Sequence, residues 1–189
     1  LVHPWLVLPL LWVAWIVSWV IASRWASAPV RTERGSGLRY RILLTIGCLL
    51  IVLPLRQHWQ APLWRPTSAQ AWFLDALALA GFAFCWWARL HLGLLWSSNV
   101  TIKPDHHIVD SGPYGLVRHP IYTGLLIAVI ASVLMNGTAL GIVGGLAMLA
   151  GFIAKARLEE KTLREALGAP AYDAYASRVP MLIPLAGPR

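Results

Sequence analysis

From Ile121 to Ala154 the chain carries no Asp, Glu, Lys or Arg. A helix crosses the hydrocarbon of a bilayer with about 20 residues, so this run is too long for one crossing and leaves no room for a long loop between two. Its middle reads Asn136-Gly137-Thr138, residues suited to a turn. A tight helical hairpin is the expected outcome. Further uncharged runs occupy Trp5 to Ser23, Ile42 to Leu55 and Ala76 to Ala88. With 58% hydrophobic and only 13% charged residues, the chain lies far from a soluble average. These features predict an all-α integral membrane protein of about five transmembrane helices, the last two a hairpin, followed by a short cytoplasmic C-terminal helix. The two middle runs are short. Arg39 and Arg41 lie on one side of the first of these and Asp75 within the span formed by the other, and these charges are expected to snorkel or to lie near the interface. One membrane-embedded domain over 1–189 follows, with N-terminal helices in 1–70 and a chemically denser half in 71–189.

Positive charge sets the expected orientation, because Lys and Arg resist translocation. The first loop holds Arg24, Arg31, Arg34, Arg39 and Arg41 against Glu33, whereas the next holds Arg56 and Arg65. That places the N-terminus outside, the tip at Asn136 outside, and both the Arg118 loop and everything after Lys155 on the cytoplasmic side. The net charge of +8 is then a topology signal plus attraction to anionic lipid headgroups. Arginines scattered over inter-helix loops give a nucleic-acid partner little support. The first run lacks a basic segment before it and an obvious small-residue cleavage site, so it is expected to be a retained helix and not a secretory signal.

Cys48 and Cys85 fall in apolar runs without partners for a disulfide or metal, and read as packing residues. Most of the 11 tryptophans sit near run ends, as an interfacial belt does; Trp12 and Trp15 are deeper and read as packing. Gly141, Gly144 and Gly145 in the last run suggest close helix contact.

Two segments carry the polar chemistry. In Gly112 to Gly124, "GPYGLVRHPIYTG", Pro120 suits the first turn of a helix, and Arg118 and His119 then lie where free backbone N–H groups favour an anion. Gly124 lets a backbone or a ligand approach closely. A positively charged loop against phosphate headgroups accounts for the same residues. In Lys155 to Gly168, "KARLEEKTLREALG", a charged helix leaves the last run and ends at a glycine suited to stop it. Lys155 with Glu159, and Glu160 with Arg164, are four apart and match solvated ion pairs, as do Lys161 and Glu165. Glu159 stands apart because its turn is held near Arg118 and His119. The paired His106 and His107 lack a spaced third ligand, so no metal is expected.

Taken together, "HHIVDSGPYGLVRHPIYTG", an uncharged hairpin and "LEEKTLREALGAPAYDAYASRVPMLIP" resemble the isoprenylcysteine carboxyl methyltransferase family and the related phospholipid methyltransferases. The resemblance runs from Asn99 to Pro184. It implies an S-adenosylmethionine-dependent methyltransferase whose lipophilic or lipidated acceptor arrives from the lipid side. The cofactor contacts it implies are Asn99, His106, His107, Ile108, Val109, Tyr114, His119, Pro120, Ile121, Tyr122 and Glu159. On the substrate side it implies an arginine where Lys155 stands, and a lysine keeps the charge but loses the planar fork that grips a carboxylate. No separate role falls to Arg118.

The chemistry suits such a layout. A sulfonium methyl is already activated, so the protein must mainly align the acceptor and exclude water. A carboxylate acceptor, as on a prenylcysteine, needs no general base. A phospholipid amine must shed a proton, for which His106 or His119 would serve. Tyr114 and Tyr122 could face the sulfonium by cation–π attraction. The "RHP..Y.G" pattern also resembles NADPH-dependent membrane reductases, in which glutamate typically follows the glycine; here Leu125 does.

Overall fold

The computed structural model describes residues 3–25, 31–32, 37–52, 62–97, 101–102 and 107–184. Helices dominate: α1 (Pro4–Ala22), α2 (Leu38–Val52), α3 (Ser68–Leu92), the single turn α4 (Pro113–Leu116), α5 (Pro120–Asn136), α6 (Ala139–Leu167) and α7 (Ala169–Ala176). The described strands are an antiparallel pair of two residues each, Arg31–Thr32 with Thr101–Ile102. Among the described residues three stretches are long and apolar enough to cross a bilayer, Pro4–Ala22, Ser68–Leu95 and Ala139–Leu167; Pro120–Asn136 is apolar but shorter. The helices, apart from that short strand pair, account for the described fold and fit a membrane protein.

The third helix starts well before the uncharged run that announced it. Thr67 accepts the Gln70 backbone N–H while the Gln70 side chain accepts from the Thr67 backbone, a reciprocal cap that starts α3 at Ser68. Asp75 thus lies inside the helix, as expected, and is 3% exposed.

Between α5 and α6 the chain needs only Gly137 and Thr138. Gly137 adopts a left-handed φ of 61°, and Thr138 accepts the Gly141 N–H to start α6. The charged segment after Ala154 is no separate helix, because α6 continues unbroken to Leu167. Gly168, at φ 93°, then turns the chain into α7.

Small residues decide which helices meet. Where α3 crosses α5, a Cβ on Gly81 would stand 2.5 Å from the Gly124 carbonyl oxygen, and one on Gly124 would meet the Gly81 carbonyl and, at 2.6 Å, Cys85 Sγ. Where α2 crosses α6, a Cβ on Gly144 would lie 2.7 Å from the Gly47 carbonyl. In a bilayer, helix pairing rests on such close packing because lipid tails are as apolar as the helices themselves. Helix α1 joins α3 and α5 through aromatic contacts: Trp12 and Trp15 pack on Phe82, and the Trp12 indole donates to Ser132 Oγ at 2.9 Å. The helices follow one another as α1, α3, α5, α6, α2, each packed against the next. Cys85 is buried in this packing, whereas Cys48 is exposed on the bundle surface.

Gly124→Val should lower the thermal midpoint of detergent-solubilised protein, with a cost of about 1–3 kcal/mol, because its side chain would press on the backbone of α3. A melting curve superimposable on wild type would contradict the described α3–α5 contact.

Candidate functional site

Pro120 opens α5, and its fixed φ suits that position. The N–H groups just before it do not stand free, as a helix start alone would suggest. Arg118 N–H donates to the Pro180 carbonyl at 2.8 Å and His119 N–H to that of Met181 at 3.1 Å, while Thr123 Oγ1 donates to the Leu182 carbonyl at 2.6 Å. The segment after α7 is strapped across the start of α5.

Arg118 is 5% exposed and holds three partners. Its Nε donates to Glu160 Oε1 at 2.8 Å, and its Nη1 to the carbonyls of Ala176 and Val179 at 3.0 and 2.6 Å. The expected Glu160–Arg164 pair does not form, because Arg164 instead forks onto Asp173 with both bonds at 2.8 Å. Lys161 and Glu165 do form the exposed pair expected of them, at 3.9 Å.

His119 sits between two carboxylates. Its Nε2 lies 3.0 Å from Glu160 Oε1 and its Nδ1 3.6 Å from Glu159 Oε2. A neutral imidazole would turn a lone pair toward one of them; only the imidazolium offers a proton to each. Burial depresses the His119 pKa, but hydrogen bonds and charge from Glu159 and Glu160 outweigh it, and the net shift is upward. Glu159 also accepts from the Tyr122 hydroxyl at 2.5 Å and lies 3.9 Å from Lys155 Nζ. The Tyr122 ring stacks against His119, with centroids 5.4 Å apart, and against Phe152 at 5.3 Å. Lys155 Nζ lies 5.3 Å from that ring and 5.6 Å from the Tyr40 ring. The Tyr122 ring thus meets both the His119 imidazolium and the ammonium of Lys155.

Arg118, His119, Tyr122, Phe152, Lys155 and Glu159 line a cavity of about 260 Å³ that also includes Tyr114, Pro120, Ile121, Trp15, Trp19 and Trp96. A smaller cavity of about 80 Å³ shares Tyr114, Arg118 and His119 with it and is also lined by His107, Ile108 and Val109. Tyr114 is fixed between them: its carbonyl accepts the Tyr175 hydroxyl at 2.8 Å. Of the residues singled out from sequence, His107, Ile108, Val109, Tyr114, His119, Pro120, Ile121, Tyr122, Lys155 and Glu159 thus converge on two adjoining cavities. Asn99 and His106 lie outside the described residues. Among the described residues no cluster of three His, Cys, Asp or Glu could hold a metal.

Sequence reasoning left out Glu160 and Arg118, which order the site, and Trp15, which lines it as well as packing. One signal was present. Arg118-His119 and Glu159-Glu160 are adjacent pairs of opposite charge on the two segments already marked as polar.

Most of the residues of this site, though not Trp15 and Trp19, fall in one stretch: residues 74–165 match the isoprenylcysteine carboxyl methyltransferase (ICMT) family. No curated protein matches the chain.

The His119 pairing gives a pH dependence of definite sign. A folded-state pKa above the unfolded value of about 6.5 means that its stabilisation is complete below that pH and is lost as pH rises through the raised value. The thermal midpoint in detergent should fall by a few degrees over that window. His119→Gln should flatten the fall, and an equal fall in that variant would remove His119 as its source.

Proposed function

Through residues 74–165 the chain belongs to the ICMT family, a family of methyltransferases, and on that premise we propose that it methylates the carboxylate of a lipophilic, prenylcysteine-like acceptor from S-adenosylmethionine. The observation that carries this reading is the make-up of the larger cavity. It joins one ionised centre, formed by His119, Tyr122, Lys155 and Glu159, to an apolar remainder that includes Trp15, Trp19, Leu125 and Phe152. A cationic cofactor and a greasy anion call for such a division. The residues fit that cofactor in chemistry, since Glu159 is a carboxylate still 21% exposed, able to accept from a ligand.

S-adenosylmethionine supplies, when bound, a methyl group already activated on a sulfonium. The protein's share is positional. Glu159, held by Tyr122 and His119, accepts from the cofactor, while His107, Ile108, Val109, Tyr114, Pro120 and Ile121 line its bed, with Asn99 and His106 as the contacts implied by the family resemblance. Lys155, on the same helix one turn before Glu159, attracts the acceptor carboxylate and orients it. Phe152 and Leu125 keep water from the reacting groups, which strengthens each charge interaction there. No residue needs to remove a proton from a carboxylate acceptor.

In this reading the chain crosses the membrane five times, with the N-terminus outside and the site and C-terminus on the cytoplasmic side. The arginines of the first loop support that orientation.

Calorimetry on detergent-solubilised protein should show binding of the demethylated product, S-adenosylhomocysteine; its absence would overturn the reading. Glu159→Gln should weaken that binding by about tenfold or more. Lys155→Ala should leave it within a few-fold while kcat/KM on a prenylcysteine falls about tenfold, and Lys155→Arg should keep or raise activity because a guanidinium grips a carboxylate at two points. Equal small effects of Glu159→Gln and Lys155→Ala on binding and turnover would return both residues to a solvated pair.

A further inference from the structure

Helix α2 lies outside the matched segment, yet its packing on α6 carries one side chain to the charged centre. Glycines set the register. A Cβ on Gly144 would stand 2.9 Å from Ile51 Cγ1, one on Gly47 would meet Met148 Cγ at 2.5 Å, and one on Gly151 would meet Leu44 Cδ2 at 2.9 Å. The two helices thus run antiparallel with 51 against 144, 47 against 148 and 44 against 151. Positions three and four apart share one face of a helix, so the next pair in the series is 40 with 155. Tyr40 and Lys155 meet accordingly, with Lys155 Nζ 5.6 Å from the Tyr40 ring centroid.

The Tyr40 ring is held in place from its own helix. It is buried, and Gly37 makes room for it, since a Cβ there would lie 2.7 Å from Tyr40 Cε1. Arg41 Nε donates to its hydroxyl oxygen at 3.4 Å. Lys155, 13% exposed, therefore has its ammonium within cation–π reach of two rings, Tyr40 and, at 5.3 Å, Tyr122. At 3.9 Å from Glu159 Oε1 it stands beyond hydrogen-bond length of its helical neighbour. A lysine has a flexible stem and no planar fork. Its direction must come from what surrounds it.

We propose that Tyr40 is a positioning residue for methyl transfer: with Tyr122 it holds the Lys155 ammonium toward the acceptor carboxylate and keeps it from closing onto Glu159. The role of Lys155 is taken from the functional reading above. A ring face attracts a cation without carrying a net charge, so the ammonium stays available to an incoming anion. Full pairing of Lys155 with Glu159 would instead consume the cation meant for the acceptor and the carboxylate meant for the cofactor. Helix α2 thereby contributes to the chemistry through a residue that lines neither cavity.

Kinetics with N-acetyl-S-farnesylcysteine as the acceptor test this. Tyr40→Leu should lower kcat/KM about tenfold while S-adenosylhomocysteine affinity stays within about twofold. Tyr40→Phe keeps the ring face and should recover most of the loss. In a Lys155→Ala background Tyr40→Leu should add little, because the residue through which it acts is gone. The same loss persisting in that background, or one that Tyr40→Phe does not recover, would make Tyr40 a packing residue and overturn the proposal. A second measurement needs neither a Tyr40 variant nor a substrate. The chain has three lysines, Lys103, Lys155 and Lys161, and reductive methylation with isotope-labelled formaldehyde marks them and keeps their charge. In the NMR spectrum of the wild-type protein, the Lys155 methyl line, identified by its absence from Lys155→Arg, should lie upfield of that of exposed Lys161 through the ring currents of two tyrosines. Coincidence of the two lines would overturn the clamp. That line is read without cofactor or acceptor, so an upfield line in a protein that fails to bind S-adenosylhomocysteine would refute the methyltransferase reading and leave the clamp standing.

Discussion

Everything chemical in this protein hangs on a guanidinium buried beside a carboxylate. Arg118 and Glu160, 2.8 Å apart, lie where α5 begins and α6 continues past its uncharged stretch. Removing two charges from water is costly unless hydrogen bonds make up the loss. Here the carbonyls of Ala176 and Val179 take up Arg118's remaining reach, and His119 shares Glu160. Glu160 in turn fixes the ring of His119, and the other side of that ring faces Glu159. A single ion pair therefore sets the orientation of the charged centre and ties down the segment after α7.

The helices and both polar segments were legible in the sequence because an uncharged run and a turn such as Gly137-Thr138 are local facts. The start of α3 was not, since the uncharged run begins only at Ala76 while the capping pair Thr67 and Gln70 starts the helix earlier in the chain. Convergence of His119, Tyr122, Lys155 and Glu159 could be inferred from the family pattern. Partner choice could not: helical spacing offered Glu160 to Arg164, but the turn at Gly168 brings Asp173 within reach of Arg164 and leaves Glu160 to Arg118. A four-residue spacing names a neighbour, and tertiary structure decides whether a better one arrives. The same holds for Trp15, whose depth in an apolar run is compatible with packing and with lining a cavity.

Two arginines of the matched segment play parallel parts. Arg118 recruits the strap over residues 176–182, and Arg89 recruits the end of α1. Both do so through backbone carbonyls, which any side-chain sequence can present. The recruited pieces are thus free to vary in sequence while their placement stays fixed, a division between a constant frame and an adjustable wall.

The order of the helices in space, α1, α3, α5, α6, α2, bears on how the protein is made. In chain order α1 and α2 precede the other helices of the bundle, yet in the finished bundle they stand at opposite ends. Helix α1 gains its neighbour as soon as α3 is inserted. Helix α2, only 15 residues long, has its glycine face matched to α6, the last long helix to be synthesised. That face of α2 therefore stays without its partner until α6 is made, and assembly cannot close until the chain beyond Thr138 has been delivered.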